Sequence, residues 1–162
     1  METTTANLYQ TIIENKTKLH EKFMKIQDQL WKIAEKENKI VKECFNKWEE
    51  KLRIDFPKYE IVREERQSQY IYVYLCLGKI TLELGIKYLY NSGPSPMCYY
   101  GIDVLDFDKT QKKEVRKLLS SVIPPEFEFK KNDCSASRHT TIEKGYSDLK
   151  NLIEHIENWK EK

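Results

Sequence analysis

The stretch SQYIYVYLCL, residues 68–77, alternates tyrosines with aliphatic residues. A period of two marks a half-buried strand, because successive side chains point to opposite faces of the pleat. Ile71, Val73, Leu75 and Leu77 share one side, and Tyr70, Tyr72 and Tyr74 share the other. A helix would scatter both sets around its axis. The stretch therefore predicts a strand with one dry face and one phenolic face.

Its neighbours extend the pattern into a sheet. Strands are expected at Tyr59 to Arg66, Tyr70 to Leu77, Ile80 to Tyr90 and Met97 to Leu105. Gly78-Lys79 is a two-residue link suited to a tight hairpin, and residues 91–96 (NSGPSP) read as a loop. Short links favour an antiparallel meander, since parallel neighbours need a longer crossover. Ile80, Leu82, Leu84 and Ile86, then Tyr100, Ile102 and Val104, join the dry face. Thr81, Glu83, Lys87, Tyr99 and Asp103 fall beside the tyrosines, giving the amphipathic face of a half-covered sheet.

Tyrosine is a good strand residue, so cross-strand packing alone can account for the three rings. It also supplies contact area with a hydrogen-bonding tip, which makes Tyr70, Tyr72, Tyr74, Tyr99 and Lys87 the candidate surface for a protein partner. Stacking of nucleic-acid bases on the sheet is a third reading, without the glycine-aromatic signature of the usual RNA-binding sheets.

Upstream, no proline or glycine interrupts the chain between Thr5 and Arg53, and Thr4 or Thr5 is the expected N-cap. Ile12, Leu19, Ile26, Ile33 and Ile40 recur every seven residues, interleaved with Phe23, Leu30 and Cys44, while Lys16 and Glu37 interrupt the second series. Isoleucine at four of five seam positions suits a parallel two-stranded coil and makes these residues the self-association candidates for a homodimer. A helix of about 48 residues spans roughly 70 Å. The alternative is a helical hairpin turning at residues 35–39 (EKENK). Phe45, Trp48 and Leu52 drift off the seam, as a face packed on a sheet would. Pro57 ends the helical region.

Downstream, Asp108 and Gln111 have capping-box spacing, predicting a helix from near Lys109 that stops before Pro124. Its apolar side is Val115, Leu118, Leu119 and Val122. Lys109, Lys112, Lys113, Arg116 and Lys117 gather on the polar side, as a solvated face or as a candidate for phosphate contact with nucleic acid. Residues 127–137 (FEFKKNDCSAS) read as a short strand or loop. Thr140 and Glu143 repeat the capping spacing before a last helix with Ile142, Leu149, Leu152, Ile153 and Ile156 on its inner side.

These elements make an α+β protein: a long N-terminal helix or helical hairpin (residues 1–56), then a four-stranded antiparallel meander with two helices packed on it (residues 57–162). At 162 residues, with 33% charged residues, five glycines and five prolines, the chain suits one domain with a real core. A formal charge of +2 leaves any steering to local patches. Cys44, Cys76, Cys98 and Cys134 form no close pair, so free thiols in a reducing cytoplasm are expected and structural zinc is not. METTTANLYQTIIENK is not a signal peptide, and no apolar run would span a bilayer. Asp103, Asp106 and Asp108 raise a magnesium reading that capping and solvation answer equally well, and His139 with Cys134 lacks a third, orienting group. Neither a cofactor nor a metal is expected.

Between about Phe45 and Trp159 the element order, with FNKWEEKL on a helix and CYYGIDV on a strand, resembles the C-terminal half of some bacterial proteins of the PD-(D/E)XK nuclease superfamily. That resemblance implies shared ancestry without activity, because the superfamily's Glu-x-Lys is absent: Glu83 and Lys87 are four apart, not two. In size and in its lysine, isoleucine and tyrosine content the chain is also similar to the small inhibitors that phages and mobile elements direct against bacterial defence systems, anti-CRISPR proteins among them. The expected function is thus a non-catalytic binding protein, an inhibitor or modulator of a nucleic-acid-processing complex. A nucleic-acid-binding, nuclease-related domain and a self-associating coil are the alternatives.

Overall fold

The structure is a computed structural model that describes residues 2–65, 68–89, 97–105, 107, 109–129 and 134–160. Helix α1 runs Glu2–Asp55 without interruption. Of the two alternatives the continuous helix forms and the turn at residues 35–39 does not, because glutamate and lysine are good helix formers and no glycine or proline breaks the ladder there. Thr4 and Thr5 lie inside the helix rather than at its cap. The chain divides into two compact units, Met1–Lys39 and Ile40–Lys162. The boundary falls inside α1 instead of after residue 56, since Val41, Phe45, Trp48, Leu52 and Phe56 are buried in the core of the second unit.

That second unit is a sheet covered by helices on one face. The strands are β1 (Ile61–Glu65), β2 (Ser68–Leu77), β3 (Ile80–Leu89), β4 (Met97–Leu105), β5 (Glu128–Phe129) and β6 (Ser135–Thr140). They are ordered β1-β2-β3-β4-β6-β5, every neighbouring pair antiparallel. The sheet therefore has six strands where four were expected. Strand β6 reads SASRHT and carries no aliphatic alternation. It is flanked on its outer side by a two-residue strand only, so few of its side chains need a dry environment.

The β2–β3 hairpin turns at Gly78-Lys79, with Gly78 at φ 61°, a conformation that glycine adopts without steric cost. Its register pairs Ile71 with Ile86, Val73 with Leu84 and Leu75 with Leu82. Strand β4 adds Tyr100, Ile102 and Val104 opposite Ile86, Leu84 and Leu82. All of these are buried. Each fully buried aliphatic side chain contributes about 1.5–3 kcal/mol, so this layer is the main stabilising element.

Two further helices cover the same layer. A 3₁₀ turn at Lys109–Gln111 precedes α2 (Lys112–Val122), so the regular helix begins three residues later than expected, and Gln111 makes no side-chain cap. Asp106 and Asp108 lie outside the described residues. Val115, Leu119 and Val122 of α2 are buried, with Leu118 packed at the margin. Helix α3 runs Gly145–Lys160, not from Thr140, which ends β6; Leu149, Leu152, Ile153 and Ile156 are its buried side.

Two ties lock the helical layer. The Asp55 carboxylate accepts hydrogen bonds from Lys150 Nζ at 2.7 Å and from the Tyr146 hydroxyl, joining α1 to α3. The side chain of Arg63 in β1 is 8% exposed; it donates to Asn46 Oδ1 at 2.6 Å and Glu65 Oε1 at 2.8 Å and lies 5.7 Å from the centre of the Phe45 ring.

Two outcomes are expected. A Cβ at Gly145 would stand 2.5 Å from Ile86 Cδ1 and 2.6 Å from Trp48 Cη2, so Gly145→Ala should lower the unfolding free energy by about 1–3 kcal/mol in urea titration. The hydrogen bond from Lys150, followed by that from Tyr146, holds the Asp55 carboxyl below its usual range, and Lys42 does the same for Glu65. Their contribution is present above the unfolded carboxylate pKa of about 4 and is lost as pH falls through the depressed folded values. Urea midpoints should therefore fall between about pH 5 and pH 2, and less steeply in Asp55→Asn.

Candidate functional site on the open sheet face

With the helices on one face, the alternate residues of every strand form the other. Three cross-strand rows organise it. One runs Glu64, Tyr70, Lys87, Tyr99, His139. The next runs Val62, Tyr72, Gly85, Gly101, Ser137. The third runs Tyr74, Glu83, Asp103, Ser135. The middle row loses its side chains at two adjacent strands, and the face sinks there into a concavity of about 400 Å³ floored by Gly85 and Gly101. Tyr70, Lys87 and Tyr99 stand on one bank, and Asp103 and Ser135 on the other.

The tyrosines form a contiguous ladder, with ring centroids 5.0 Å apart for Tyr70–Tyr72 and 5.3 Å for Tyr72–Tyr74. Two of them are tied to an acid. The Tyr70 hydroxyl donates to Glu83 Oε1 at 2.8 Å, and the Tyr72 hydroxyl donates to Glu64 Oε1 at 3.1 Å. Burial, then the Glu83 carboxylate, raises the Tyr70 hydroxyl well above the ordinary phenol range; burial and Glu64 act likewise on Tyr72. Both hydroxyls stay protonated and serve as donors. Tyr72 is buried between its two neighbours, whereas Tyr70 and Tyr74 are half-buried. The accessible part of the ladder is therefore its two ends.

The banks carry opposite charge. Lys87 Nζ sits 5.9 Å from the Tyr70 ring centroid, and the Tyr99 ring lies 4.2 Å from that of His139. Across the glycine floor, Glu83 and Asp103 are directly opposed on β3 and β4. Like charges directly opposite each other on neighbouring strands are unfavourable, so a cationic group brought to this pair would be attracted to it.

The sequence placed Tyr70, Tyr72, Tyr74, Tyr99 and Lys87 on one face, and the register brings them together there. It did not single out Gly85, Gly101 or Ser135, and it considered His139 only beside Cys134, not on this face. Isolated glycines inside two strand patterns were the available signal, since such glycines mark close backbone approach. A Cβ at Gly85 would meet Tyr70 Cε2 at 2.7 Å, and one at Gly101 would meet the Ala136 carbonyl oxygen at 2.3 Å.

The cationic helix sits elsewhere. Helix α2 packs against the apolar layer, so Lys113, Arg116 and Lys117 are on the side of the sheet away from the tyrosines, and the two features do not form one surface. Lys112 is half-buried, and the Lys109 side chain lies outside the described residues. Cys134 is buried and His139 exposed, five residues apart and hence on opposite faces. Burial pushes the Cys98 thiol up to about 12, which leaves it protonated and unreactive. Among the described residues no cluster of His, Cys, Asp and Glu could hold a metal ion, and no helix is long and apolar enough to cross a membrane.

No family model, curated protein or solved structure matches the chain.

The floor can be tested directly. The contact at Gly101 is with backbone and cannot be relieved by a rotamer change, so Gly101→Ala should cost about 2–3 kcal/mol of stability. At Gly85 the Tyr70 ring can swing away, so Gly85→Ala should cost under about 1.5 kcal/mol. Equal losses in parallel denaturant titrations would show that the two glycines do not differ in this way.

Proposed function

We propose that this protein is a non-catalytic binding module whose working surface is the open face of the sheet. The observation that carries the reading is the glycine-floored concavity, set between a Lys87–Tyr99 bank and a Glu83–Asp103 bank beside the tyrosine ladder. Half-buried phenols give contact area at little cost in side-chain entropy, and opposed charges orient what lands on them. The partner that fits is a protein presenting a basic side chain to Glu83 and Asp103, with an acidic or polar group towards Lys87. Likeness in size and composition to phage-encoded inhibitors makes a nucleic-acid-processing defence complex the class of partner in view.

A second reading rests on α2, where Lys113 and Lys117 are exposed on the opposite side. In that reading the helix contacts phosphates, and binding weakens steeply with salt.

One comparison separates the two. Affinity purification from bacterial lysate, with and without nuclease treatment, is run on the parent, on Lys87→Glu with Asp103→Lys, and on Lys113→Glu with Lys117→Glu. The first reading expects a nuclease-resistant protein partner, lost at least tenfold with the sheet-face variant and retained with the helix variant. The second expects nuclease-sensitive capture with the reverse pattern. If both variants fold and retain the same partners as the parent, neither surface is the binding site.

A further inference from the structure

The described part of unit Met1–Lys39, residues 2–39, lies within α1, and its large apolar side chains from Leu8 to Ile33 lie open. The interleaved spacing settles their register. From Ile12 to Lys16, Leu19 to Phe23, Ile26 to Leu30 and Ile33 to Glu37 the step is four, and each return step is three. In a heptad the step of four runs from d to a, so the isoleucines occupy d, not a. The a series is Tyr9, Lys16, Phe23, Leu30 and Glu37, and the d series is Ile12, Leu19, Ile26, Ile33 and Ile40. This removes the expectation of a parallel two-stranded coil, which wants β-branched residues at a and leucine at d.

The outer face keeps the same seven-residue beat. Glu14, Glu21, Asp28 and Glu35 all fall at f, and Lys18, Lys25, Lys32 and Lys39 all fall at c, each four residues after an acid. One such pair, Asp28 with Lys32, closes at 2.8 Å. These charges can be satisfied along a single helix, on the side away from the seam. A strict seven-residue beat on both faces is what a supercoil requires, and a helix lying on a globular surface has no need of it. The eight apolar residues at a and d are 56–67% exposed, so among the described residues nothing covers them.

The two exceptions at core positions identify the missing layer. Lys16 and Glu37 are opposite in sign and lie symmetrically about the middle of the seam, near Ile26. A parallel partner in register would set Lys16 beside Lys16 and Glu37 beside Glu37. A partner related by a two-fold axis perpendicular to the helix near residue 26 instead brings Lys16 within about one turn of Glu37 of the second copy, twice over.

We propose that residues 9–40 associate with a second copy of this chain as an antiparallel coiled coil, centred near Ile26 and matched by reciprocal Lys16–Glu37 pairs. Such an interface is self-complementary and closes at two helices. Ile13, Met24 and Trp31, at e and b beside the seam, widen the apolar arc to roughly 160° and give two such pairs a surface on which to stack as four.

The test is a charge-swap cycle on the full chain, read by sedimentation equilibrium and light scattering from about 1 to 100 µM, with far-UV circular dichroism as the folding control. The parent should be a dimer, or a tetramer of two pairs. Lys16→Glu alone and Glu37→Lys alone should each weaken association about tenfold or more, and the double variant should restore it to within about threefold of the parent. A parent that stays monomeric at 100 µM overturns the proposal, as does a trimer. Single variants that associate as the parent does also overturn it, since in a parallel coil each swap merely exchanges one like-charged layer for another, and so does a double variant that stays helical without regaining association.

Discussion

Side chains on a pleated strand must take opposite sides in turn, and β2 and β3 obey this for ten residues each in matched register. That single constraint sorts the chain's large side chains into a layer of aliphatics and a layer of phenols and charges. A slip of one residue would put Ile71, Val73 and Leu75 into water and the tyrosines under the helices. The turn at Gly78-Lys79 holds the register, and the helices have no other surface on which to bury Phe45, Leu119 or Ile153. Everything else in the second unit follows from which layer is dry.

The open face inherits its relief from the same register. Because Gly85 and Gly101 are paired on adjacent strands, two missing side chains coincide and make a basin instead of two unrelated dents. Tyr70 can then lean over Gly85, from where its hydroxyl reaches Glu83. The acids are held in place by donors whose protons do not leave at any physiological pH. A preorganised surface of this kind needs little reordering when something binds to it, which is why it supports a binding reading better than the exposed lysines of α2.

Helix α1 answers to two different periodicities. Up to Ile40 an apolar residue returns every seven positions from Ile12; from Val41 the apolar residues follow the sheet instead, through Phe45, Trp48 and Leu52. The boundary between the two compact units falls at that change of beat. One helix thus carries two distinct apolar faces, and only the second is satisfied by the chain's own core.

Periodicity read from the linear chain determined the α+β class, the β2–β3 hairpin, the faces of three strands and the buried side of α2 and α3, because each depends on local alternation that no distant contact has to correct. It also put Tyr70, Lys87 and Tyr99 on one face. The tertiary structure alone decided the rest. Strand β6 was legible only as a short strand or loop over residues 127–137, because its polar residues are stabilised by pairing with β4, a partner some 35 residues away. The glycine basin was hidden because it exists only where two strands come into register. The separation of α2 from the tyrosines was hidden because a helix amphipathic by itself does not say which face of the sheet it will cover. Local pattern states what a segment can bury; only the assembled sheet states what lies opposite it.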